Sequence, residues 1–126
     1  MTPMFTIGKR FSFSASHVLT AVPEDHKCRR LHGHNYEVEV LCESPDLDGR
    51  GMVVDFFDLK PVRRFIDATI DHRHLNDVID GEPTAERLAW WIYEALKDVL
   101  PSEVARTVAA VRVHETPGTW AEYRPS

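Results

Sequence analysis

Hydrophobic and polar positions alternate from Phe5 to His17: Phe11, Phe13, Ala15 and His17 share one side, and Ser12, Ser14 and Ser16 the other. Period-two alternation marks a half-buried strand. It returns over residues 32–43, where His34, Tyr36, Val38 and Val40 fall on one face and Asn35, Glu37 and Glu39 on the other. Residues 20–31 between them read as a polar loop with a basic cluster. Asp48-Gly49 signals a turn over residues 45–51, and residues 52–55 are expected to finish a hairpin.

The period then changes. Asp58 is placed to cap a helix whose first turn tolerates Pro61, with Leu59, Val62, Phe65, Ile66 and Ile70 as its apolar stripe. Residues 71–82 are irregular. Thr84 caps a second helix and Glu86 sits favourably in its first turn. Leu88, Trp91, Ile92, Ala95, Leu96 and Val99 follow at helical spacing, and Trp90 with Trp91 reads as packing. Residues 108–115 alternate again, and 120–124 are placed to pair with them. The order β-β-α-α-β-β over one domain, residues 1–126, predicts an α+β fold. Its expected form is an antiparallel four-stranded sheet with both helices on one face. That leaves edges and a face uncovered, so an oligomer is expected.

Composition narrows the function. The net charge of −5, from 15 Lys and Arg against 20 Asp and Glu, argues against a nucleic-acid binder. It leaves room for an anionic small molecule held by a few local cations. No apolar run approaches the roughly 18 residues of a membrane span, and residues 1–10 lack a signal-peptide pattern. A soluble, cytoplasmic protein is expected, with Cys28 and Cys42 as free thiols.

The chemistry gathers at the strand ends. His17 closes the first strand; His32 and His34 open the second, in phase with the apolar face. A hairpin brings them together. Three neutral imidazoles suit tetrahedral zinc and leave its fourth position open, as in catalytic sites. A hydrogen-bonded core histidine is the plain alternative for His17. Cys28 reads three ways: fourth zinc ligand, ordinary loop cysteine, or a catalytic thiol favoured as thiolate by Lys27, Arg29 and Arg30. Asp71-His72 is either an imidazole oriented by a carboxylate for proton transfer or a polar helix-end loop. Glu115 continues the covered-face parity of Val111 and Val113. A carboxylate there needs a partner, either an arginine of the protein or a guanidine-like ligand edge. His26, His74 and His114 read as surface residues.

Taken together, the motifs Ser14-Ala15-Ser16-His17, Cys28-Arg29-Arg30-Leu31-His32-Gly33-His34, Asp71-His72-Arg73-His74-Leu75-Asn76, Pro83-Thr84-Ala85-Glu86 and Glu115-Thr116-Pro117 resemble one family. It is that of the 6-pyruvoyl-tetrahydropterin and 6-carboxy-tetrahydropterin synthases, and the resemblance spans nearly the whole chain. The resemblance implies a tunnelling fold (T-fold) that oligomerises into a barrel, as a homohexamer built from two trimers. It implies Zn2+ on His17, His32 and His34, and dihydroneopterin triphosphate as substrate. Cys28, Asp71 and His72 would move protons, Glu115 would anchor the amino-pyrimidine edge, and Thr84 and Glu86 would contact the pterin. Lys27, Arg29 and Arg30 are the candidate cations for the triphosphate. The three residues between Cys28 and His32 resemble the 6-carboxy type of the 7-deazapurine (queuosine) route; the pyruvoyl type typically has a longer interval. A pyruvoyl synthase and a non-catalytic pterin- or zinc-binding module are the competing readings.

Overall fold

The computed structural model describes residues 2–126. Its strands are β1 (Phe5–His17), β2 (His32–Ser44), β3 (Arg73–His74), β4 (Val108–Thr116) and β5 (Thr119–Tyr123); its helices are α1 (Lys60–Thr69), α2 (Ala85–Val99) and α3 (Ser102–Ala105). One sheet of order β3-β1-β2-β4-β5 lies under the helices. β1 and β2 form a long antiparallel hairpin from Phe5↔Ser44 to His17↔His32. β2 pairs antiparallel with β4, and β4 with β5.

The sheet therefore has five strands and is mixed, where the sequence pattern predicts four antiparallel ones. The added strand, β3, runs parallel to β1 at Ala15 and Ser16. It is two residues long, too short to show a period. Local bonds place it: His72 N–H donates to Ser14 O at 2.6 Å, and His72 takes a left-handed φ of 58°. Residues 52–55 do not form the expected hairpin arm. The Asp48 carboxylate accepts from the N–H groups of Arg50 and Met52, and Asp48 N–H donates to Met52 O. That closes the turn on itself and takes donors a ladder would need.

The helices follow the apolar stripes. Asp55, rather than Asp58, supplies a cap: it accepts from Phe57 N–H at the start of a 3-10 turn, Phe56–Leu59, and α1 begins behind that turn. Thr84 caps α2 by accepting from Arg87 N–H at 3.1 Å. Leu88, Ile92 and Leu96 of α2 and Val62 and Ile66 of α1 are buried against Phe11, Phe13, Tyr36, Val38, Val111 and Val113 of the sheet. Each fully buried side chain of this size contributes roughly 1.5–3 kcal/mol. Trp91 packs on Phe65 at 5.4 Å between ring centroids, while Trp90 is exposed. The far sheet face carries ion pairs instead, among them Arg112 with Glu122 at 2.6 Å and Arg10 with Glu37 at 3.6 Å. Among the described residues, no helix is long and apolar enough to cross a membrane.

Candidate metal centre and active site

The hairpin register sets the site. His17 and His32 are direct cross-strand partners, and His34 lies opposite Ala15, two residues along the same face. Their rings meet edge to face with centroids 4.5–5.1 Å apart. One nitrogen from each lies within 4.8 Å of the others.

The second ring nitrogens decide what these three can do. His17 Nδ1 lies 2.9 Å from Pro83 O, and His32 Nδ1 lies 2.7 Å from Arg30 O. A carbonyl only accepts, so each Nδ1 carries the hydrogen, and in the neutral ring that leaves Nε2 as the lone pair. Those two Nε2 atoms face each other at 2.9 Å. His34 Nε2 is buried without a hydrogen-bond partner. Desolvation holds the His34 imidazole below its usual pKa, with Glu115 opposing and the neighbouring histidines adding to the effect. Lone pairs pointed at one another repel and a buried ring nitrogen without a partner is costly, and a bound cation removes both costs. The residues thus fit a divalent metal held by His17, His32 and His34, with carbonyls fixing two of the rings from behind. Sequence reading missed these backing groups, because Pro83 and Arg30 act through main-chain oxygens. It also missed Tyr36, which lies two residues past His34. Tyr36 is buried, stacks on Phe13 at 4.8 Å and places its hydroxyl 3.4 Å from His17 Nδ1. Burial and the Glu115 charge push that hydroxyl's pKa up, so it stays protonated.

Glu115 stands beside the triad. Its carboxylate oxygens lie 3.8 Å from His34 Nε2 and 4.0 Å from His17 Nε2, beyond hydrogen-bond reach. No arginine pairs with it among the described residues, and the arginine-partner alternative finds no support. Glu115 instead lines a cavity of about 310 Å³ with Leu19, Thr84, Glu86 and Trp120. A second cavity of about 460 Å³ is shared by His34, Ser16, Asn35, His72 and His74. Asp71 accepts from His72 Nδ1 at 3.0 Å and from Ser14 N–H at 3.0 Å. The Ser14 N–H is the chief reason its carboxyl lies below the usual carboxylate range; burial opposes and His72 adds. His72 itself is exposed, held up by its left-handed backbone.

Cys28 lies in the 3-10 turn Lys27–Arg29, half-buried, and is not among the residues lining the His72 cavity. One chain thus gathers the histidines with Glu115 and pairs Asp71 with His72, but shows no contact joining Cys28 to that pair. Arg29, a candidate phosphate cation, donates to the carbonyls of Thr20 and Val22. Two histidines read as surface residues are not: His74 Nδ1 meets Ser16 Oγ at 2.9 Å, and His114 lies 3.5 Å from Glu39. His26 is exposed and accepts from Cys28 N–H.

The profile of the 6-pyruvoyl tetrahydropterin synthase family matches residues 6–126. The chain belongs to this family. It is 34% identical over 147 aligned positions to the 6-carboxy-5,6,7,8-tetrahydropterin synthase of Haemophilus influenzae, covering 96% of this chain and 99% of that one. It is 37% identical to the dihydroneopterin monophosphate aldolase of Pyrococcus furiosus, over 75% of this chain and 77% of that one. Among solved structures, the 6-pyruvoyl tetrahydropterin synthase of Caenorhabditis elegans superposes with a TM-score of 0.84 at 29% identity, covering 99% and 98% of the two chains. The T-fold expected from the motifs is the family's fold, here with its sheet open within one chain.

Proposed function

We propose that this chain converts 7,8-dihydroneopterin triphosphate and one water to 6-carboxy-5,6,7,8-tetrahydropterin, releasing acetaldehyde and triphosphate, in 7-deazapurine (queuosine) biosynthesis in the cytoplasm. The carrying observation is the convergence of three imidazole nitrogens, one of them without a hydrogen-bond partner, beside a carboxylate with no arginine partner at a cavity. That is an open metal site next to a place for a guanidine-like ring edge. The three-residue interval from Cys28 to His32 supports the 6-carboxy product over the pyruvoyl one.

Each residue has a task in this reading. His17, His32 and His34 hold zinc, which when bound supplies a Lewis acid for the substrate's side-chain hydroxyls. Glu115 accepts two hydrogen bonds from the amino-pyrimidine edge, with Thr84 and Glu86 at the same cavity. Asp71 holds His72 by Nδ1–H, leaving Nε2 to take or give a proton. Cys28 Sγ is the other proton partner, brought to His72 across a subunit boundary. Lys27 and Arg30 face the phosphates; Arg29 is engaged by its own loop.

That engagement favours a second reading, since one fewer cation suits a shorter phosphate chain. In it the chain cleaves the side chain of dihydroneopterin monophosphate, as the name of the Pyrococcus relative describes. Incubating zinc-loaded protein with the triphosphate and the monophosphate separately, and identifying products by mass, divides the readings. Acetaldehyde and the 6-carboxy pterin from the triphosphate are expected. A pyruvoyl product, or turnover of the monophosphate alone, replaces the reading; binding without any product leaves the non-catalytic module.

A further inference from the structure

Glu82 enters neither the metal site nor the pterin cavity, yet its carboxylate is the most heavily bonded acceptor near them. One oxygen, Oε1, takes Thr20 N–H at 2.8 Å, Thr20 Oγ1–H at 3.0 Å and Ala21 N–H. These atoms open the loop that leaves β1 and carries Cys28. Arg29 closes the same loop from inside through the carbonyls of Thr20 and Val22, and its charge lies near the Glu82 carboxylate. Leu19 N–H donates to Cys28 O at 2.9 Å, tying the cysteine to the fastened stretch. The next residue, Pro83, gives the carbonyl that fixes His17. Asn76 pins Val18 by both amide atoms, at 2.9 Å each, so the loop's root is held as well.

We infer that Glu82 is a positioning residue: its carboxylate fastens the Cys28 loop to the segment that orients His17, setting the thiol's place relative to the metal ligands. A carboxylate suits this because it accepts several bonds at once and donates none, while a loop left with unpaired N–H groups opens to water. A small misplacement of a proton-transfer group is costly to turnover. The inference rests on the reading of Cys28 as that group, but its first measurement does not.

The test is alkylation of Cys28 by iodoacetamide under native conditions in the zinc-loaded protein. Cys42 is fully buried and serves as a silent internal control. In Glu82→Ala, Cys28 should react at least threefold faster at unchanged zinc content. Turnover should fall about tenfold in kcat with KM within twofold. Glu82→Gln keeps an acceptor oxygen and should restore most of the slow alkylation and most of kcat. If Glu82→Ala is poorly folded, the Gln variant against wild type still decides: alkylation accelerated beyond that of wild type by the full amount expected for Ala overturns the acceptor role. Unchanged alkylation and kcat in Glu82→Ala overturns the inference, and so does loss of zinc, which would mean that Glu82 acts through His17. Should wild type show no pterin turnover, the function proposed above fails, while the alkylation rates still decide the fastening.

Discussion

Single atoms carry most of the site's meaning. The orphaned Nε2 of His34 and the facing Nε2 atoms of His17 and His32 are a cost to the fold unless a cation sits among them. Glu115 is a cost of the same kind, a half-buried charge whose nearest partners, the imidazoles of His34 and His17, stop short of hydrogen bonding. Replacing it by Gln keeps the size, removes the charge and turns one acceptor into a donor. Against a guanidine-like edge the mismatch costs about 1–3 kcal/mol, so pterin affinity should drop about 5- to 150-fold with zinc content unchanged. Calorimetric titration with a pterin measures this; unchanged affinity would mean that Glu115 serves the histidines instead. These residues were legible in the sequence because strand parity places side chains by counting. The carbonyls of Pro83 and Arg30 and the Glu82 bonds to the loop were not, since main-chain acceptors leave no mark on residue type.

Elements differ in how clearly a sequence announces them. β1, β2, α2 and β4 have long regular periods, and the structure keeps them within a residue or two. β3 and α3 span only two and four residues and exist through their neighbours. β3 depends on Asp71, which binds Ser14 N–H on β1 and His72 on the turn. Because the folded carboxyl titrates below its unfolded value near pH 4, its ionised form stabilises the protein above that value. The contribution is lost as pH falls through the folded value. Asp71→Asn should therefore melt lower than wild type at pH 7, with the difference closing below about pH 4. Thermal melts from pH 7 to pH 3 in a chelator, which removes metal loss from the comparison, check this; a gap independent of pH would contradict it.

Across the whole molecule, the open sheet is the unfinished part. One face is charged, and β3 and β5 are edges within the chain. Three such sheets joined edge to edge would close a barrel and remove the edges, and two trimers stacked would give the hexamer expected from the motifs. That assembly would also bring Cys28 of one subunit to Asp71–His72 of another, which no contact within the chain does. Light scattering should give a hexamer, and mixing inactive Cys28→Ala subunits with inactive His72→Ala subunits should restore part of the activity. A stable, active monomer would contradict the shared site.

In the proposed function, turnover, pterin anchoring and the role of Cys28 all depend on three imidazoles, and no thiolate, holding one metal with a position left open. X-ray absorption at the zinc edge of the purified protein, with metal content measured on the same sample, tests this directly. The expected result is about one zinc per chain with a nitrogen and oxygen shell at about 2.0–2.1 Å, lost in His34→Ala and unaltered in Cys28→Ala. A sulfur scatterer at about 2.3 Å that disappears in Cys28→Ala would contradict it, making Cys28 a ligand and the site a closed structural one.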